Sequence, residues 1–276
     1  MIHKRIRFLG EAALEYYLAA NEYFSVSYST HFNFSHCIGG DVYWALRWAA
    51  SLGKELAVTT IREEGIRGDE LVMQLDAFNG NNDLRVVPGY RHNDIITVHC
   101  LHDGRKTVFS RGSNVPDSTK ILAIHKNDYL ITAGLFDCID DDAFHGTVIL
   151  RDPYDTPLAR ITLPDICVCT PSIVRHFTSL SGLWDACHEW YDIIKRDFFV
   201  VSNSAEVYYM RAGELSLYEP PAEINVCDPA LAFGIVAGLR HHEERLDDWV
   251  YSIIETMCGL PTESDIDVTK SFLPKR

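Results

Sequence analysis

The run Gly39-Gly40-Asp41-Val42-Tyr43-Trp44-Ala45-Leu46-Arg47-Trp48-Ala49-Ala50-Ser51-Leu52-Gly53 carries a helix with both ends marked. Asp41 is of the type that caps a helix N-terminus. Val42, Ala45, Leu46 and Ala49 recur at helical spacing, and Gly53 falls where a C′ glycine belongs. Upstream, Ile6 to Leu9 is a short apolar strand ending at Gly10, and residues 22–38, rich in aromatics, Ser and Asn, read as irregular structure or a strand pair. Downstream, Leu56 to Thr60 reads as a strand and Asp69 to Phe78 as a second helix, stopped by Asn79-Gly80. Ile95–Leu101 and Lys106–Ser110 are β-rich runs around Asp103-Gly104, a strong turn pair, and predict a hairpin.

The second half returns to alternation. Tyr129–Thr132, Val148–Leu150, Ile166–Cys169 and Phe198–Val201 read as strands, and Val207–Met210 with Leu215–Tyr218 as a hairpin turning at Gly213. Asp228-Pro229 opens a helix running to Leu239, with Asp as N-cap and Pro at the first helical position. A last helix runs from about Glu243 to Met257, and the tail from Thr262 is expected to be poorly ordered. Strands alternating with helices imply one α/β domain with a mainly parallel sheet flanked by helices. The hairpin near 95–110 breaks that rhythm and predicts a small β lid.

Composition narrows the function. The chain has 276 residues, with 25 Lys and Arg against 39 Asp and Glu, a formal charge of −14. Such an acidic surface repels phosphate backbones and argues against a general nucleic-acid binder. No apolar stretch reaches the ~18 residues of a membrane span, and the basic N-terminus lacks the apolar core of a signal peptide. Eight scattered cysteines without a C-x-x-C pair read as reduced thiols of a cytoplasmic protein, with Cys167 and Cys169 on one strand face.

The Gly39–Gly53 run resembles the N-terminal signature of ribokinase-like (PfkB) carbohydrate kinases, in pattern nearest to 2-keto-3-deoxygluconate kinases. Gly10-Glu11-Ala12-Ala13-Leu14-Glu15 is similar to that family's first strand exit, and Glu64-Gly65-Ile66-Arg67-Gly68-Asp69 to its next loop and helix. The hairpin followed by Arg111-Gly112-Ser113-Asn114 looks like its lid. The resemblance implies a ribokinase-like fold across residues 1–276, with a lid built from about 12–38 and 86–113. It places a sugar or sugar acid among Glu15, Gly39, Gly40, Asp41, Trp44 and Arg111. It implies ATP and Mg²⁺ as cofactors if the chain is active, with Ser202 and Ser204 at the nucleotide. It also implies a homodimer paired through the lid, with 95–110 in the interface.

The same comparison exposes departures. The family's Gly-Ala-Gly-Asp segment supplies an anion hole of backbone amides and a catalytic Asp. Here the segment reads Asn225-Val226-Cys227-Asp228-Pro229-Ala230-Leu231-Ala232-Phe233. One register places Leu231 at the base position. The other places Asp228 there, as catalytic base. Neither keeps the glycines, and Pro229 has no amide hydrogen. The Asn-x-x-Glu motif is matched by Ser172-Ile173-Val174-Arg175, the nucleotide-strand glycines by Ser202-Asn203-Ser204-Ala205-Glu206-Val207, and the sugar-binding Asn by Trp44. Asp152-Pro153-Tyr154-Asp155 resembles an Asp-Pro-Asn-Tyr segment without its Asn.

Other signals read as structural. Asp137, Asp140, Asp141 and Asp142 with His145 form a solvated acidic loop, and His241-His242 sit where a helix C-terminus favours imidazolium. The expected function is therefore a carbohydrate-kinase homologue with lost or strongly impaired phosphotransfer and a ligand-binding, regulatory or structural role. The alternative is an active sugar or sugar-acid kinase using Asp228.

Overall fold

In a computed structural model, the residues described are 5–20, 33–78, 82–86, 90–100, 106–110, 128–134, 145–151, 165–240 and 245–262. Arg111, the lid turn at 103–104, the acidic run 137–142, the segment 152–155, His241-His242 and the tail lie outside them. The elements in chain order are β1 Ile6–Leu9, β2 Ala13–Ala20, β3 Asn33–Gly39, α1 Gly40–Ser51, β4 Ala57–Arg62, α2 Ile66–Phe78, β5 Asn82–Val86, β6 Asn93–Cys100, β7 Lys106–Ser110, β8 Tyr129–Thr132, β9 Gly146–Leu150, β10 Ile166–Cys169, α3 Pro171–Thr178, α4 Leu183–Ile194, β11 Phe198–Val201, β12 Val207–Arg211, β13 Glu214–Tyr218, α5 Pro229–Leu239 and α6 Leu246–Cys258.

Among the described residues nine strands form one sheet in the order β13-β12-β11-β10-β9-β8-β1-β4-β5. From β11 to β5 every pairing is parallel, and β12 and β13 close one edge as an antiparallel hairpin. Its central strands are short and buried on both faces, as an all-parallel sheet between helical layers requires: β8, β9 and β11 are wholly buried. This is the α/β architecture expected, with the order reversing between β1 and β8. Ligands of open α/β sheets bind beyond the strand carboxyl ends at such a reversal.

The second sheet has the order β3-β2-β6-β7. It contains the expected hairpin, β6 against β7 with Ile95 opposite Ser110. It also departs from a simple antiparallel lobe. β2 and β6 pair in parallel over Ala13–Ala20 and Asn93–Cys100, so two chain crossings from the main sheet enter it side by side.

Helix boundaries correct one reading. Asp41 does not cap α1. The helix begins at Gly40 after an extended Gly39, which leaves the Asp41 carboxylate in the first turn. Gly40 takes φ +70°, and a Cβ there would stand 3.0 Å from the Glu11 carbonyl oxygen, so glycine is required. Gly53, at φ +64°, is the expected C′ glycine. α2 starts three residues before Asp69. β2, β5, α3 and α4 are elements that the sequence reading does not assign.

Two cores flank the main sheet. α1, α5 and α6 pack on one face, and α3 and α4 enclose the other around Trp190, Cys187 and Cys169. Cys167 and Cys169 do share a face, with sulfurs 3.9 Å apart. α5 is buried along its whole length, in keeping with its all-apolar sequence. Gly234 and Gly238, one turn apart, admit β9 and β8: an added Cβ would meet Ile149 Cδ1 at 2.4 Å and Ile131 Cδ1 at 2.5 Å. Alanine is worth about 0.8–1.0 kcal/mol more than glycine in a free helix. Gly234→Ala is nonetheless expected to destabilise the fold by about 1–3 kcal/mol through overpacking. Urea denaturation showing a more stable variant would reject this close approach.

Candidate functional site

The carboxyl ends of β1, β8 and β9 and the N-termini of α1 and α5 converge. Beyond β1, a Cβ on Gly10 would lie 3.4 Å from Asp41 Cβ. Glu15, on β2, folds back across the glycine pair. Its Oε1 accepts from the Gly40 amide at 3.2 Å, and a Cβ on Gly39 would stand 2.0 Å from its Cγ. Gly10, Glu15, Gly39, Gly40 and Asp41 therefore lie together at the sheet edge. Trp44, 9% exposed, is turned into the core between Tyr43 and Trp48.

Arg151 stands at the centre of this convergence. It is the first residue beyond β9, and its guanidinium bridges both helix N-termini. Nη1 donates to Asp228 Oδ2 at 2.6 Å, Nη2 donates to Asp41 Oδ2, and Nη2 also reaches the Ala133 carbonyl beyond β8 at 3.3 Å. Behind it, Thr170 Oγ1 donates to the Arg151 carbonyl at 3.2 Å, which fixes the backbone turn. Asp228 has a second duty as N-cap of α5, where Oδ1 accepts from the Leu231 amide at 2.9 Å.

Charge follows geometry. Burial raises the Asp41 pKa from 3.8 to about 6. Arg151 opposes that rise, and Asp228 and Glu11 add to it. Burial works against the Arg151 cation, yet the two carboxylates outweigh it and push its pKa above the ordinary guanidinium value. The bridge thus holds an obligate cation between two carboxylates.

A nucleotide triphosphate needs free amide donors or cations. In the first turn of α5, Pro229 has no N–H and the Leu231 amide is taken by Asp228. The loop after β11 is closed on itself. Ser202 and Ser204 both donate to Glu206 Oε2, at 3.2 and 3.0 Å, and Ser202 Oγ accepts from the Glu206 amide at 3.1 Å. Their hydroxyls are committed to a carboxylate, which repels a phosphate. Among the described residues no group of three or more His, Cys, Asp or Glu side chains could hold a metal ion. Arg175 lies in the last turn of α3. At the α5 N-terminus and in the loop after β11 the described residues offer a triphosphate few free donors.

The sequence matches no family model and no curated protein sequence. Solved structures do match. A ribokinase from Thermotoga maritima superposes with a TM-score of 0.67 at 12% identity, over 97% of this chain and 93% of that one. The chain has the ribokinase fold. Phosphofructokinase-2 from Escherichia coli in complex with fructose-6-phosphate gives 0.66 at 15% identity, covering 92% of this chain and 99% of that chain. Arabidopsis thaliana ribokinase complexed with ribose and ATP gives 0.66 at 11%, covering 92% and 91%. At such identities the likeness establishes the ribokinase fold alone, without carrying over a substrate.

Within this fold, sequence reasoning named Asp41 and Asp228 but missed Arg151, the residue that joins them. The available signal was a single arginine directly after the buried strand Gly146–Leu150. Arg111 lies outside the described residues.

Proposed function

We propose that the chain is a carbohydrate-kinase homologue that has lost effective ATP-dependent phosphotransfer and serves to bind a small sugar or sugar acid, in a regulatory or structural role. The observation that carries this reading is the Asp41–Arg151–Asp228 bridge. A general base must be within hydrogen-bond reach of the acceptor hydroxyl and free to take its proton. Asp228 spends one oxygen on Arg151 and the other on the α5 cap. The self-closed Ser202–Glu206 loop and the missing Pro229 amide support the same reading. Phosphoryl transfer rests on positioning and charge, and removal of one oxyanion donor typically costs ~100–1,000-fold in rate.

One observation favours the alternative of an active kinase: Asp228 reaches the same sheet edge as Gly39, Gly40 and Asp41. That arrangement supports the register placing Asp228 at the base position. Trp44, expected at the sugar, packs instead in the core, and in either reading pairing through the lid would give a homodimer.

The test is ATP binding and turnover. Thermal denaturation with and without ATP and Mg²⁺ is expected to show no shift, and a coupled assay over common pentoses, hexoses and hexonates no ADP formation above background. Steady turnover that disappears in Asp228→Asn, with the folded spectrum retained, would establish the active alternative.

A further inference from the structure

A second buried polar cluster lies where the lid sheet joins the main sheet. His92, 1% exposed, sits one residue before β6, and Glu63, 8% exposed, one residue after β4. They bracket one another: the Glu63 amide donates to His92 Nε2 at 3.2 Å, and the His92 amide donates to Glu63 Oε2 at 3.1 Å. Arg67 of α2 extends the bracket, pairing with Glu63 Oε1 at 3.2 Å and with Asp94 on β6. Tyr90 packs edge-on against the imidazole at 5.1 Å, and the ring's Nδ1 is buried without a hydrogen-bond partner among the described residues. The bracket thus ties the entry of β6, in the lid sheet, to the segment after β4, in the main sheet.

We propose that His92 is a proton-operated clip between the lid and the α/β body, closed while the imidazole is neutral and released when it is protonated. The chemistry is set by the bracket. Nε2 accepts the Glu63 amide, so in the closed state the ring proton is on Nδ1. A second proton can enter only at Nε2, where it meets the Glu63 N–H head on. Two donors then face each other in a buried space and the bracket parts.

The surrounding charges are Glu63 after β4, Arg62 at the end of β4, Arg67 on α2 and Asp94 on β6. Burial lowers the His92 pKa below 6.5. Glu63 opposes that, while Arg67 and Arg62 add to it. The clip is therefore closed at neutral pH and opens as pH falls below that of a free histidine. It acts whether or not the site below transfers phosphate, because it governs how the lid is held.

The experiment is amide hydrogen exchange on the full chain in a pH series from 8.0 to 4.5, corrected for intrinsic rates. The wild type is expected to show at least tenfold faster exchange in β2 and β6 at the acid end, with α5 amides unchanged. His92→Gln offers an oxygen in place of Nε2 and does not titrate, so its lid exchange is expected to be independent of pH. This also separates His92 from Asp41, which titrates in the same window. If His92→Gln fails to fold, ring-nitrogen NMR of the wild type decides. Nε2 is expected to be unprotonated at pH 8.0, and its titration to coincide with the onset of lid exchange. Lid exchange unchanged across the series, a variant keeping the wild-type pH profile, or a ring that titrates without any change in exchange would each overturn the proposal.

Discussion

Arg151→Met is expected to destabilise the protein by about 3 kcal/mol at pH 7.5 and to do so far less at pH 5. Removing one partner of a buried ion pair typically costs 3–5 kcal/mol, because the other is left charged and unpaired. Here the figure sits at the low end, since Arg151 is 28% and Asp228 26% exposed and water takes up part of the loss. Methionine fills the volume, so what is lost is chiefly charge and hydrogen bonds. The pH dependence follows from Asp41. Its folded pKa of about 6 exceeds the ordinary 3.8. Its contribution to stability is thus fully present below 3.8 and is lost as pH rises through about 6, an amount of about 3 kcal/mol at ~1.36 kcal/mol per pKa unit. Without Arg151 the Asp41 pKa rises further, so protonation relieves the variant at a higher pH than the wild type. Urea midpoints at the two pH values, with the slope m unchanged, measure this. A variant within about 0.5 kcal/mol of wild type at pH 7.5 would show that water alone satisfies both carboxylates.

The legible part of the fold was the part governed by local rules. Asp228-Pro229 announced α5 because an N-cap carboxylate and a first-turn proline act within one turn, and the structure shows that cap. The buried strands β8, β9, β10 and β11 were legible because a doubly covered strand is predominantly apolar, with only Thr132 and Thr147 as strongly polar-type exceptions among them. β5, Asn82–Val86, was not: as the edge strand of its sheet it carries Asn82, Asp83 and Arg85, and polar runs read as loop. α4 does carry one apolar stripe, Leu183, Ala186, Cys187, Trp190 and Ile194 at helical spacing, but the exposed Trp184 and Ile193 on its other side blur that period in the sequence.

The site divides along the same line. The resemblance to ribokinase-like kinases is what places Glu15, Gly39 and Gly40 together, and the structure links them through the Gly40 amide and the Glu15 carboxylate. Arg151 could not, because its partners are 110 and 77 residues away and only the parallel sheet brings β9 between α1 and α5. Residue type alone suggests a capping role for Asp41. The helix starts two residues early, at a Gly40 of positive φ, and that leaves the carboxylate free for the bridge.

Trp48→Ala carries the other large expected effect and tests what holds α1, and therefore Asp41, in place. Trp48 is fully buried, tilts against Trp44 at 5.5 Å, and donates its indole N–H to the Pro261 carbonyl at 3.0 Å. Truncating a buried tryptophan costs about 3–5 kcal/mol in lost transfer energy and residual cavity. Trp48→Phe keeps most of the apolar contact and gives up the hydrogen bond, worth about 1 kcal/mol, while leaving the Pro261 oxygen to find water. The expected order of urea midpoints is wild type, Phe, Ala, with the larger gap between Phe and Ala. Two forces can fix α1: its core face through Trp48, and its N-terminus through the Asp41–Arg151 bond. If the core face dominates, Trp48→Ala and Arg151→Met add within about 0.5 kcal/mol when combined, since the sites share no partner. Strong coupling between them, or a Trp48→Ala cost below about 1 kcal/mol, would mean that the bridge, rather than the core, sets the position of the helix.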